Sequence, residues 1–279
     1  MAASDVQYLQ IGKIPYAYIE AGDGPLLLLG HSTFSGKEMF ASQIEALSPY
    51  FRCVAVDWPG HGQTGFDPSG WRVDDVVAAV PKLVEGLGAE TAFMAGVSQG
   101  AAVFSRVALK HPERIDALIN MCAGMTAPPQ NQMAPMRALA DTLSVEKDPE
   151  IRRRAVEDYV PEWHTPNFPE RRPDAAAAEI DLVLAHDPKA CRLIPEVPGN
   201  YDSIVDRLGE ISPPTLIVWG LDDPRPKLGS EIAAAIPGAE LKEIPEAGHH
   251  VNLDAPDETS ATILEFLQRQ TPGNAALQR

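Results

Sequence analysis

At 279 residues and 44% hydrophobic content, the chain can bury one large core, or a core that carries a smaller appendage. Its formal net charge of -16 excludes nucleic acid as an expected partner, because a phosphate backbone repels an acidic surface. The three cysteines, Cys53, Cys122 and Cys191, have neither zinc-binding nor redox spacing, so reduced thiols are expected.

In chain order, Met1–Asp5 lacks the basic start and long apolar run of a secretory signal, and Leu26–Leu29 is far too short to cross a bilayer. A cytoplasmic protein with no membrane association is expected. An antiparallel lead-in is predicted at Val6–Ile11 and Ile14–Glu20. Short apolar or β-branched runs then recur at Pro25–Leu29, Cys53–Val56, Thr91–Ala95, Ala117–Met121, Thr215–Trp219 and Glu240–Ile244. Helical spacing separates them at Phe40–Leu47, Val73–Leu87, Gln99–Lys110, Gly229–Ile236 and Pro256–Gln270. Strands alternating with helices imply an α/β fold whose mostly parallel sheet is covered on both faces. Pro81 should kink or split its helix, because it lacks an N–H donor and crowds the preceding turn.

Between about Thr126 and Asn200 the alternation stops. This stretch reads as helices alone, at Met133–Leu143, Pro149–Tyr159 and Asp174–Ala185. Many of the chain's 26 prolines gather here and at its edges. The expected organisation is a core in two parts, 1–125 and 201–279, with a helical lid inserted at 126–200.

In open parallel sheets ligands collect beyond the carboxyl ends of the strands, so the residues that follow each strand come first. After Thr91–Ala95 stands Gly96-Val97-Ser98-Gln99-Gly100, with a helix beginning at once. A sharp turn of this kind strains Ser98 and presents its hydroxyl to the cleft, and side chains at positions 96 and 100 would collide with neighbouring backbone. The bland reading is a glycine-rich turn with a capping serine. A serine hydroxyl needs a base within reach and a third group to orient that base. Gly220-Leu221-Asp222-Asp223-Pro224 and Ala247-Gly248-His249-His250 supply both, in the order serine, acid, histidine.

Together with Asp57-Trp58-Pro59-Gly60-His61-Gly62 and His111-Pro112-Glu113-Arg114, these segments resemble the α/β-hydrolase family, in particular its small bacterial members with a helical lid. The likeness covers nearly all of the chain outside the lid. It implies Ser98 as nucleophile, His249 as base and Asp223, three residues after Gly220, as the acid, with Asp222 as the alternative after a small loop shift. It places the oxyanion-binding N–H groups at Gln99 and in the loop Gly30-His31-Ser32-Thr33-Phe34. There Ser32 stands where the family has glycine, so Thr33 is the expected donor and Ser32 the alternative.

His61 reads as scaffold, and the Arg152-Arg153-Arg154 run as a solvated helix face. Phe34, Trp58, Tyr159, Trp163 and Phe168 are candidates for an apolar substrate pocket, and His250 for its lining. The resemblance implies a serine esterase, active as monomer or homodimer on a small-molecule ester. The same residues would serve a lactonase, a carbon–carbon bond hydrolase or a cofactor-free perhydrolase, and the rival from another class is a non-hydrolytic receptor. Halide and epoxide branches of the family attack with aspartate, whereas this elbow carries serine. No motif for a metal or organic cofactor is present.

Overall fold

A computed structural model of the chain describes residues 5–271. Met1–Ser4, on which the reading of the chain's start rests, and 272–279 of the expected second core segment lie outside the described residues.

Eight strands form one sheet: β1 (Gln7–Ile11), β2 (Ile14–Ala21), β3 (Leu26–Gly30), β4 (Arg52–Val56), β5 (Ala92–Val97), β6 (Ile115–Met121), β7 (Thr215–Gly220) and β8 (Glu240–Ile244). Their spatial order is β1-β2-β4-β3-β5-β6-β7-β8. The lead-in hairpin β1–β2 and the β2–β4 pair are antiparallel, and every other neighbour is parallel. Burial follows position. All of β3, β5 and β7 is buried, as expected of strands covered on both faces, whereas edge strand β1 is largely exposed. The core joins Leu27, Val54, Met94, Leu118 and Ile217 from neighbouring strands to Phe104 and Phe266 from the flanking helices.

Pro81 does not split its helix, which runs unbroken over Val73–Gly86. Val76, Val77, Val80, Leu83 and Val84 bury the face of that helix toward the sheet, and this packing outweighs the loss of one backbone donor. Three main helices, Gln130–Val145, Pro149–Tyr159 and Pro173–Leu184, occupy the stretch between β6 and β7, and no strand lies within 126–200. Asp148 starts the second of them, with Oδ1 accepting from the Glu150 N–H at 2.9 Å and Pro149 in the first turn. These helices bury Met133, Met136, Leu143 and Val156 in a second apolar cluster, which Phe34 enters from the loop after β3.

The arginine run mixes two roles. Arg153 and Arg154 are exposed and pair with Asp181 and Asp158, whereas Arg152 donates to the carbonyls of Leu143 and Leu184 and so braces two helix ends. The three cysteines are buried and unpaired. Among the described residues no helix is long and apolar enough to cross a membrane.

Candidate active site

At the end of β5 the chain turns directly into the helix Gln99–Lys110, and Ser98 takes up the reversal at φ 50° and ψ -109°. A non-glycine residue in this region is strained and persists only where its surroundings enforce it. Both glycines of the turn are demanded by contact. A Cβ on Gly96 would run into the Ala101 N and the Gly100 carbonyl carbon, and one on Gly100 would run into the carbonyl of Gly30 on β3. Helix and strand therefore approach as closely as backbone allows, which fixes where Ser98 stands.

Two neighbouring strand ends bring the other polar groups. Asp223 follows β7, and its Oδ2 accepts the hydrogen of His249 Nδ1 at 2.6 Å. Both side chains are buried, whereas Asp222 is exposed. Burial pushes the His249 imidazole down to about 4, against the opposing pull of Asp223, and Arg225 lowers it further. Burial alone would raise the Asp223 carboxyl. The hydrogen bond and charge of His249, with Arg225 behind them, hold it below its usual range. Ser98 and His249 border one cleft, which encloses roughly 460 Å³ of unfilled space partly open to solvent, but their side chains share no hydrogen bond.

The loop after β3 is held by two neutral histidines. His31 Nδ1 lies 2.7 Å from the Ser32 carbonyl, and its Nε2 accepts the Trp58 N–H at 2.9 Å. His61 repeats the pattern, with Nδ1 at the Pro59 carbonyl and Nε2 accepting the Phe34 N–H at 3.3 Å. In each ring one nitrogen donates while the other accepts, which requires the uncharged form. Burial also drives both downward, His31 to about 3. His61 is thus scaffold. The Ser32 N–H is taken by Met39 Sδ at 3.4 Å, whereas among the described residues the N–H groups of Thr33 and Gln99 have no acceptor. Thr33 Oγ1 donates to Gln99 Oε1 at 2.8 Å, which ties the two segments together.

Of the aromatic residues proposed to line a pocket, only Trp163 borders this cleft, with its ring 5.0 Å from that of His249. Phe34, at φ 57°, turns into the apolar cluster of the inserted helices and meets Tyr159 edge-on. Tyr159 packs in that cluster too. Trp58 is wholly buried, its Nε1 donating to the His31 carbonyl and its ring against Phe104. Phe168 stacks on His164 at 3.7 Å. His250 also lies outside the lining, because its Nδ1 faces Glu179 at 2.7 Å.

That contact belongs to a buried network whose partners in the helical insertion, His164 and Glu179, the motifs do not indicate. His164 bridges Asp254 at 2.8 Å and Glu179 at 2.6 Å, and Asp254 Oδ2 accepts the Gly248 N–H at 2.6 Å. Ligand atoms of His164, Glu179 and His250 fall within 4.8 Å of one another, as do those of Cys122, Asp223 and His249. In the first group both glutamate oxygens already engage a histidine. In the second, burial raises the Cys122 thiol far above neutrality, and Asp223 and His249 already engage each other. Two residues bordering the cleft, Arg225 and Tyr201, had no signal in the motifs, although a cation two places beyond the acid was visible in the sequence.

A doubly covered, mostly parallel sheet, with a strained serine after β5 and a buried carboxylate–imidazole pair after β7 and β8, defines a hydrolase of the α/β class. The chain belongs to the alpha/beta hydrolase family, whose model matches residues 19–262. It is 30% identical over 274 residues to haloalkane dehalogenase 2 of Mycobacterium tuberculosis strain H37Rv, covering 89% of this chain and 90% of that one. It is 26% identical to 2-(acetamidomethylene)succinate hydrolase of Mesorhizobium japonicum, over 93% and 94% of the two chains. A solved hydrolase from Pseudomonas aeruginosa PA01 superposes with a TM-score of 0.84 at 26% identity, covering 94% of this chain and 98% of that one.

Proposed function

We propose that the protein cleaves carboxylic esters through an acyl-enzyme on Ser98. The observation that carries this reading is the strained Ser98 turn opening on the same cleft as the His249–Asp223 pair. His249 Nε2 takes the Ser98 proton as Oγ adds to the ester carbonyl, while Nδ1–H stays on Asp223, whose charge stabilises the imidazolium. The unclaimed N–H groups of Thr33 and Gln99 receive the oxyanion. Collapse expels the alkoxide, which takes the proton back from His249. Water, deprotonated by His249, then attacks the acyl-enzyme, and the acid leaves as Ser98 is restored.

The helices at 126–200 act as a cap over this site, since Gln132, Met136, Trp163 and Pro198 form one wall of the cleft. One relative is named a haloalkane dehalogenase, but the turn here holds serine rather than the aspartate with which the halide branch attacks. A serine at that position favours acyl transfer.

The test is labelling with a fluorophosphonate and turnover of chromogenic esters of graded acyl length. Ser98 should label and turn over, and Ser98→Ala should do neither, losing at least about a thousandfold in kcat/KM. Near-normal turnover by Ser98→Ala would overturn the assignment. Labelling followed by a single slow turnover on every ester would favour a receptor.

A further inference from the structure

The cleft beside Ser98 holds hydrogen-bond donors that nothing in the protein satisfies. Gln99 Nε2 and Tyr201 Oη are buried without partners, and both residues border the cleft. Buried polar groups are almost always hydrogen-bonded, so two orphans on residues that border one cavity point to a missing acceptor. Arg225 adds a third donor. Its Nη2 reaches the Cys122 carbonyl at 3.3 Å and its Nε lies 3.4 Å from Asp223, but Nη1 has no acceptor among the described residues. Nη1 stands beside Gly124, where a Cβ would come within 3.2 Å of it, and Gly124 also borders the cleft.

Charge points the same way. Among the described lining residues Arg225 is the single formal cation, and there is no carboxylate. Behind Tyr201 lies Arg106, 4% exposed, with its guanidinium 4.5 Å above the tyrosine ring. Its hydrogen bonds go to the carbonyls of Ala102 and Asp202, and it makes no ion pair with any described residue. Arg106 is balanced by the charges of Asp74 and Asp202, whereas Asp223 is shared between His249 and Arg225, so the Arg225 guanidinium at this end of the cleft has only part of one carboxylate. An uncompensated buried charge is costly and is relieved by an anion.

We propose that the cleft selects esters bearing a free carboxylate, which accepts from Arg225 Nη1, Tyr201 Oη and Gln99 Nε2. This rests on the reading of Ser98 as the esterolytic nucleophile and names the substrate class of that site. A carboxylate offers the several lone pairs that these donors require, and a planar guanidinium grips it better than any other side chain. The net charge of -16 works against long-range attraction of such a substrate, so discrimination rests on these local contacts.

The experiment compares kcat/KM for two matched pairs: 4-nitrophenyl hemiglutarate against 4-nitrophenyl pentanoate, and 3-carboxyphenyl acetate against phenyl acetate. The carboxylate is expected to raise kcat/KM at least tenfold in one pair. Arg225→Gln should cut that ratio about tenfold, and Tyr201→Phe, which keeps the ring over Arg106, about threefold, mainly through KM. Without any variant, glutarate should inhibit the unmodified enzyme competitively at concentrations where its dimethyl ester does not. If Ser98 labels and neutral esters turn over as fast as charged ones in both pairs, the carboxylate site is wrong while the esterase reading stands. If Ser98 neither labels nor turns over any ester, both fall.

Discussion

His164 Nδ1, in the helical insertion, lies 2.8 Å from Asp254 Oδ1, while the other oxygen of that carboxylate accepts the N–H of Gly248, next to His249. One buried carboxylate thus joins the helical insertion to the loop that carries the proposed base. Glu179 extends the link, placing one oxygen on His164 and the other beside His250.

This network should shape stability against pH. Although burial opposes its charge, Glu179 and Asp254 raise His164 to about 9. A raised folded pKa stabilises fully below the unfolded value, ~6.5, and the contribution is lost as pH rises through about 9. His249 and His31 are depressed, to about 4 and about 3, so their contributions are lost as pH falls below ~6.5. Melting temperature should therefore peak near neutrality and decline on both sides. His164→Gln should lower the peak and flatten the alkaline decline. An unchanged alkaline limb in that variant would rule out His164 as its source.

Activity should follow the neutral imidazole. With His249 at about 4, kcat/KM should be level through neutrality and fall as pH drops through about 4, where the base becomes protonated. Arg225 holds His249 down, so Arg225→Gln should move this acid limb to higher pH. A pH–rate profile of both proteins on one neutral ester measures the shift.

The two aspartates of the β7 loop should separate cleanly. Asp223→Asn should lower kcat on the order of 10⁴-fold, since the amide removes the charge and permits the wrong tautomer. Asp222→Asn, at an exposed position, should stay within about twofold. Equal losses would show that the loop rearranges in solution.

The turn itself tolerates no added carbon. Gly100→Ala forces a methyl group onto the Gly30 carbonyl, a backbone atom that cannot swing aside. A destabilisation near the upper end of the roughly 1–3 kcal/mol range for overpacking is expected, with lost activity. Chemical denaturation checks the first, and ester turnover checks the second.

Much of the architecture was legible because parallel strands buried on both faces read as short continuous apolar runs. On that ground β3 to β7 differ from their predicted bounds by one or two residues, whereas β8, a largely exposed and polar edge strand, matches its bounds through the alternation of strands with helices rather than through burial. Ser98, Asp223 and His249 were legible for a related reason: each sits at a strand end marked by glycine, where the turn is local. The alternation of runs and helices and the order of the polar junctions were thus determined by the sequence alone. Tertiary structure decided whatever depended on packing between distant segments. It turned Phe34 and Trp58 inward, where they fill apolar space, and let Pro81 stay within one helix because the buried face outweighs a missing donor. It also brought Arg225 and Tyr201 to one cavity, set Arg106 behind Tyr201, and joined His164 to Asp254 across 90 residues. No short window of sequence holds those relationships, because each arises where elements far apart in the chain come together.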